Sequence, residues 1–501
     1  MIHDDPDHRK VVPEKAGTGA KDERWAGPSR WSAVVEYQAR IFAILWAVAH
    51  FAHLLRKGDR TDPFMWIVLG AAVLLLDKPT SRLRLGLLAA AQLVYLYGNM
   101  PATDNHLYIM GFVNIGLLAA VVLVPRSEGG PPSEPLLTAL PYVRLVIVIA
   151  YGAAALAKLN HGFFDRRESC AITMFHDATA ILGGRMPDVP GRAEALLPFI
   201  VAGAELLIPL LLLLPVTRLA GVVVLVVFHL AMSMSPTATA IDFTVILFSL
   251  GFLFLPAQAV PHLEGRVRTL VGRVRPLTRM SRATALVLLT AFLGAMIGGR
   301  GLEVANVAGN RNWLWLSIAA LVLGGLLLEA AWRGWRERWP RNASVWPLRE
   351  VPRTKHGALL SVALVAGTLL VLANAASPYL GGKTLSTFAM YSNLQTEAMS
   401  SNHYLFPRLP VATGQDDLVL VLDSSNRRLE RIGEGGRFIT WHELQRRLAD
   451  DPQASITYLR DGRVYQHEQA SENPELVTVH PIAHRFVAHR LYDPDRARCL
   501  W

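Results

Sequence analysis

Charge is scarce in this 501-residue chain: Asp, Glu, Lys and Arg make up 18% of it, against 52% hydrophobic residues. Soluble domains carry about 25% charge, so too little polar surface remains here to cover the apolar mass in water, which excludes a soluble globule. Lysine is scarcer still, eight against 42 arginines. Cysteine occurs twice, at Cys170 and Cys499, which excludes a disulfide scaffold, and no His/Cys pair has zinc-site spacing, so no metal is expected. The 38 glycines follow no period, which excludes a collagen-like chain. No P-loop or GxGxxG segment stands in a strand-turn-helix context, so no nucleotide is expected either. The formal charge of +10 would suit nucleic acid, but membrane proteins gather Arg and Lys in cytoplasmic loops, and no nucleic-acid partner is expected.

Long apolar runs are abundant. A spanning helix needs about 17–25 mostly apolar residues, and eleven runs qualify, near 35–55, 63–77, 83–99, 106–124, 137–158, 194–215, 217–234, 239–256, 282–298, 312–332 and 357–375. The second and third are short, and Pro215 to Arg218 is either a tight turn or a kink, so the count is good to about one. Residues 1–34 are polar without an apolar core, so the first span is expected to serve as the insertion signal. With the N-terminus inside, about 23 basic residues face the cytoplasm and about nine the other side, as the positive-inside rule requires.

The tail after Ala376 then lies outside. Asp417 to Asp423 alternates like a strand, Trp441 to Leu448 reads as a short amphipathic helix, and Ile456 to Tyr465 as two strands about an Asp-Gly turn. The expected architecture is mainly α, a polytopic helical bundle of about 11 spans with a small extracytoplasmic α+β domain. Its parts are a polar cytoplasmic segment 1–34, a membrane domain 35–257, a three-helix membrane segment 258–376 and the tail domain 377–501. Both cysteines fall outside, where disulfides persist; they either tie the loop after residue 158 to the end of the tail or are two unrelated thiols.

Lys158, at the outer end of the fifth span, is the lone lysine between Lys78 and Lys355. Unlike arginine, a desolvated lysine can lose its proton and act as a base; the alternative is a lysine snorkelling to the headgroups. Other ionisable groups converge on the same level: Asp104, Asn105 and His106 at the start of the fourth span, Glu205 in the sixth, His229 late in the seventh, and His50 and His53 at the end of the first. Burying such groups in lipid costs several kcal/mol unless they pair or face a cavity, which points to a shared polar pocket. Each also has a plainer explanation: helix capping for Asp104 or Asn105, interhelical hydrogen bonding for Glu205 and His229, and an interfacial position for His50 and His53.

The order Asn105-His106 at the start of a span, Lys158-Leu159 at the end of the next and Phe228-His229 later resembles the membrane domain of vitamin K-dependent gamma-carboxylases and their bacterial relatives, the horizontally transferred transmembrane (HTTM) superfamily. The resemblance covers roughly residues 30–257. The segment Ser377 to Glu397 with Ser401-Asn402-His403 resembles the tail of bacterial members. The resemblance implies that Lys158 is the base that deprotonates a reduced vitamin K or related naphthoquinol. It further implies that His106 stabilises the developing intermediate, with O2 and CO2 as co-substrates and a peptide or protein glutamyl group as acceptor. The stretch after the lysine, His161 to Phe164 followed by Arg166, Arg167 and Cys170, departs from the family's expected Trp- and Gly-containing pattern.

The implied setting is a bacterial inner membrane, with lipid and the quinone pool as partners. Asn105, Leu159, Glu205 and His229 are expected to line the substrate or quinone pocket. Asn393, Glu397, Asn402 and His403 are expected either to form a lid or client groove above it or to be ordinary turn and capping groups. The competing functions are a membrane oxidoreductase or lipid-modifying enzyme that uses the pocket without CO2, and a non-enzymatic transporter, immunity or scaffold protein.

Overall fold

A computed structural model describes residues 33–57, 59, 61–101, 103–125, 133–180, 191–233, 240–272, 281, 284, 287–289, 291, 313–339, 345–346, 348, 350–409, 411–497 and 499. The fold is mainly helical with a small sheet near the C-terminus. Most of the 1–34 segment and of the run at 282–298 lies outside the described residues.

The apolar runs become helices α1 Ala33–Lys57, α2 Pro63–Asp77, α3 Arg82–Asn99, α4 Asn105–Leu123 and α5 Glu134–Ala157. Short helices α6 His161–Phe164, α7 Cys170–Ala180 and α8 Gly191–Glu194 follow, then α9 Leu197–Leu213, α10 Arg218–Ser233 and α11 Ile241–Gly251. After α12 Ala259–Gly272 come α13 Trp313–Arg336 and α14 Lys355–Ala376. Among the described residues, α1, α4, α5, α13 and α14 are long and apolar enough to cross a membrane, and α2, α9, α10 and the stretch Ile241–Phe254 are shorter apolar helices. The expected eleven spans are thus five full-length candidates plus shorter pieces. Part of the expected basic loop after residue 258 is helical: in α12, His262 and Arg266 pair with Glu329 of α13 at 3.2 and 2.8 Å.

Punctuation residues set the helix ends. Asp62 caps α2, its side chain accepting from the Phe64 amide, with Pro63 in the first turn where no donor is needed. The break after Leu214 is a tight turn, closed by Thr217 Oγ1 and Arg218 Nε donating to the carbonyls of Leu211 and Leu212. Side chains such as Ile67, Leu83, Leu207, Leu210, Val362 and Leu369 stand exposed on the helices while Phe42, Trp46, Met65 and Tyr142 fill the interior. Apolar surface on this scale marks a membrane-facing protein.

Polar residues inside the bundle are cross-linked. Trp46 Nε1 donates to Asn114 Oδ1 at 3.0 Å, and Asn114 donates to Gln92 Oε1 at 2.9 Å and faces His50 Nε2 at 3.3 Å. His50 Nδ1 lies 2.7 Å from the Trp46 carbonyl, so Nδ1 carries the proton and Nε2 accepts. His50 and His53 are both buried: His50 faces Asn114 of α4 and His53 faces the Asp242 carboxylate at 3.4 Å.

The tail domain is a four-stranded antiparallel sheet in the order β2-β1-β3-β4, with β1 Leu418–Ser424, β2 Phe438–Thr440, β3 Ile456–Arg460 and β4 Arg463–His467. The expected hairpin is β3–β4, turned by Asp461 and Gly462, both with positive φ, the conformation a two-residue type I′ turn demands. The expected helix runs Trp441–Asp450 and buries Leu444 and Leu448 against Val419, Val421 and Ile456.

Candidate functional site

The C-terminal ends of α1, α5 and α10 and the N-terminal ends of α4 and α11 meet at one level, where two buried clusters of ionisable groups form. The first joins α1, α4 and α11. Asp242, fully buried in the first turn of α11, places Oδ2 at 3.0 Å from His106 Nε2 and 3.4 Å from His53 Nδ1. Asp104 stands at the N-cap of α4 but makes no cap bond. Its carboxylate instead pairs with Lys57 at 3.3 Å and lies 3.7 Å from His106 Nε2.

The second cluster joins α5, α9 and α10. Lys158, 2% exposed, pairs through Nζ with Glu205 Oε2 at 2.7 Å and donates to the Met390 carbonyl at 2.8 Å, with the Phe163 ring 5.7 Å away. About two helical turns before it on α5, the Tyr151 hydroxyl hydrogen-bonds His229 Nε2. Phe243 stands between the clusters, its ring centroid 5.7 Å from that of His106 and 5.5 Å from that of His229.

A cavity of about 590 Å³ opens on the first cluster, lined by His53, Asp104, Asn105 and His106 below and by Ser386, Met390, Tyr391 and Arg490 of the tail above. A small recess of about 30 Å³ beside it is lined by Tyr151, Glu205 and His229 and shares Phe243, Met390 and Tyr391 with the larger one. Lys158 lines neither space: the Met390 carbonyl occupies its ammonium. Phe243 and Leu385 form an apolar part of the wall and His53 and His106 a polar part.

Residues 385–403 roof the site. Ser386, Phe388, Tyr391 and Asn393 all have positive φ, between 47° and 65°, a region non-glycine residues avoid at a cost of order 1–3 kcal/mol each. Such strain persists only where the surroundings over-determine the backbone, and they do. Asn105 Oδ1 accepts the Phe388 amide at 2.8 Å. Asn160 donates to the carbonyls of Ala157 and Ser392 at 2.7 and 2.5 Å and accepts the Phe163 amide at 2.9 Å. Asn393 accepts the Cys170 amide at 2.8 Å and donates to Glu168 and Ala497. Asn402 accepts from the Gln395 amide and donates to the Asn393 carbonyl. His403 Nε2 donates to the Leu156 carbonyl at 2.7 Å while Nδ1 accepts two amides, so it is neutral here. Burial holds its pKa below the ordinary imidazole range. A disulfide links Cys170 to Cys499 and closes the same corner covalently.

Glu397 is fully buried, and burial raises its carboxyl above the usual range against the opposing pull of the Thr396 amide and Arg490. The Arg490 guanidinium donates to the roof carbonyls of Leu394, at 3.4 Å, and Ala389.

Of the residues singled out from sequence, Lys158 with Glu205, and His106 with His53, are brought into contact, and His229 sits beside them. Asn105 acts as an anchor for the roof. Leu159 takes no part in the cavity wall; its carbonyl accepts the Tyr404 amide at 2.9 Å. Asn393, Asn402 and His403 lie over the site, yet their side chains are engaged in holding the roof together rather than facing a client. Asp242, Tyr151, Asn160 and Arg490 were not anticipated. Asp242 carries one usable signal, an acid at the start of the apolar run 239–256, which on its own is indistinguishable from an ordinary first-turn acid. Compared with protein-family models, with curated proteins and with solved structures, the chain matches none of them.

Proposed function

We propose that the chain is an integral-membrane enzyme of the gamma-carboxylase-like type, acting on a lipid-borne quinol. One observation carries the reading: a buried histidine–carboxylate cluster opens on a cavity of about 590 Å³ at one end of an apolar bundle, and the carboxylate of a buried lysine–carboxylate pair lines the small recess beside it. Buried ionisable groups in a membrane protein are retained for function by default.

A reduced naphthoquinone bound there supplies, with O2, the strong base that removes a carbon-bound proton before CO2 adds. The chain's residues would hold and prepare it. Phe243, Leu385 and Met390 receive the ring, and His106, fixed by Asp242, faces an oxygen that gains negative charge. Lys158 does not line the cavity; to act as the base it would first pass its ammonium proton to Glu205 and leave the Met390 carbonyl, and the neutral amine would then take the hydroxyl proton. Arg490 and Lys57 supply positive charge at the rim. The acceptor in this reading is a peptide or protein glutamyl group.

The roof favours a second reading, an oxidoreductase or lipid-modifying enzyme that works without CO2. Residues 385–391 cover the cavity from the tail side, whereas a lipid-borne ring can approach between helices. In both readings the chain lies in a bacterial inner membrane with about 11 spans, the N-terminus inside and the tail outside, which the Cys170–Cys499 disulfide supports because disulfides persist in oxidising compartments.

The test is oxygen-dependent epoxide formation from a reduced naphthoquinone by the purified protein in mild detergent. Wild type should turn over. Lys158→Ala and Lys158→Arg should lose at least the roughly 10²–10⁴-fold typical of a general base. Full activity in Lys158→Arg would overturn the base assignment, and epoxide-free quinol oxidation would move the reading to the oxidoreductase.

A further inference from the structure

Two histidines and an aspartate from three helices bring His53, His106 and Asp242 together at the floor of the cavity. The ligand-capable atoms of the three all lie within 4.8 Å of one another, and all three residues are buried. We infer that this triad is a binding site for a first-row divalent cation of the Zn2+ or Fe2+ class, with its remaining coordination positions turned toward the cavity.

Geometry is the first argument. Bonds of about 2.0–2.1 Å from nitrogen and oxygen to such a cation set neighbouring ligand atoms about 3.0–3.4 Å apart, the chord across a right or tetrahedral angle. Asp242 Oδ2 lies 3.0 Å from His106 Nε2 and 3.4 Å from His53 Nδ1.

The second argument is the state of those atoms. His53 Nδ1 and Nε2, His106 Nε2 and both carboxylate oxygens of Asp242 are buried without a hydrogen-bond partner among the described residues. His106 Nε2 and Asp242 Oδ2 stand at ion-pair distance, 3.0 Å, and a divalent cation placed among the three residues would take the position that a shared proton otherwise holds and would serve the buried lone pairs that remain.

Composition agrees. Two imidazoles and one carboxylate form the ligand set of open catalytic zinc sites and of facial non-haem iron sites. The side facing the cavity carries Asp104, whose Oδ2 lies 3.7 Å from His106 Nε2 and which Lys57 holds in place, so a cation-bound water would find an acceptor there. Sequence spacing hid the site because its ligands stand at positions 53, 106 and 242, far outside any zinc-site interval. The inference does not depend on the quinol reading. If both hold, His106 acts on the bound oxygen through the cation.

The test uses the full-length chain in mild detergent, carrying His3→Ala and His8→Ala so that the histidines of the leading segment do not contribute. After chelator treatment, Co2+ alone is titrated and followed by its visible absorption and by metal analysis. The expected result is one Co2+ per chain, competed by Zn2+. Because lost outer-sphere partners already cost about 10–100-fold in affinity, His53→Ala and Asp242→Asn should each weaken binding by at least about 100-fold. Asp242→Asn keeps the side-chain shape, and its melting temperature without metal should stay near the parent's, while added Co2+ raises that of the parent alone. No stoichiometric Co2+ in the parent, or equal binding by the variants, overturns the site. Turnover of a quinol is not part of the readout, so failure here leaves the proposed function to its own assay.

Discussion

Lys158 and Glu205 offer a sharp quantitative test, because each is nearly inaccessible and the Lys158 ammonium is fully engaged. Lys158 Nζ meets Glu205 Oε2 at 2.7 Å and the Met390 carbonyl at 2.8 Å. Removing one member of a buried ion pair leaves the other as an uncompensated charge, at about 3–5 kcal/mol, whereas replacing both by apolar groups of similar volume is often close to neutral. Lys158→Met and Glu205→Leu should therefore each cost about 3–5 kcal/mol, with Lys158→Met at the upper end because it also orphans the Met390 carbonyl. The double variant should recover to within about 2 kcal/mol of wild type, a coupling of at least about 4 kcal/mol. Unfolding of the four proteins in one detergent, followed by tryptophan fluorescence, completes the cycle. Additive single effects, with a coupling below about 0.5 kcal/mol, would show that the two groups do not interact as the geometry requires. Quinol turnover should stay absent in the double variant even where its stability returns, which separates a catalytic pair from a structural one.

Four further outcomes are expected. Asn160→Ala removes a side chain that makes four hydrogen bonds, two of them to Ser392 and Asn402 of the roof and two to Ala157 and Phe163 at the end of α5 and in α6; at about 1 kcal/mol each, stability should fall by about 3–4 kcal/mol, read as a lowered melting temperature. Alkylation of the unfolded, non-reduced protein should label neither cysteine, and Cys170→Ser/Cys499→Ser should destabilise by up to about 5–6 kcal/mol on the entropic account of a loop spanning 329 residues. Gly116→Ala sets a methyl within 2.2 Å of the buried Tyr142 ring, so forced repacking of α4 on α5 should cost about 1–3 kcal/mol in the same melts. For Glu397, a carboxyl raised in the folded state contributes stability that is complete below its unfolded pKa and is lost as pH rises through the folded value. The stability of Glu397→Gln relative to wild type should therefore climb as pH rises above the usual carboxyl range, and a flat difference would refute the assignment.

What could be read in advance follows from how local each signal is. Apolar runs and their breaks sit within a few residues, so Pro63, Pro215 and the Asp461-Gly462 turn marked real boundaries. Lys158 was visible because it broke the chain's own habit of using arginine. Asp242 was not, since an acid in a first turn is commonplace and its meaning comes from histidines 189 and 136 positions earlier. Tyr151 is one aromatic in an apolar helix, and only the placement of α10 beside α5 makes it a partner of His229. For Asn393, Asn402 and His403 the sequence leaves two readings open, a lid or client groove and ordinary turn and capping groups, because polar residues after a last span fit either. They are spent instead on a segment whose backbone is too irregular to satisfy itself.

The roof also sets an order of manufacture. The floor of the cavity is complete once α11 has been made, but its ceiling needs residues 385–391, Arg490 from nearly a hundred positions later, and a covalent bond at Cys499. A nascent chain therefore carries these buried groups beneath an unfinished cover for almost half of its synthesis, and the pocket closes only after the tail has been made and has folded back over it. Maturation, rather than insertion, is the step at which this molecule becomes competent, and a cell that slowed thiol oxidation would accumulate a fully inserted but open form.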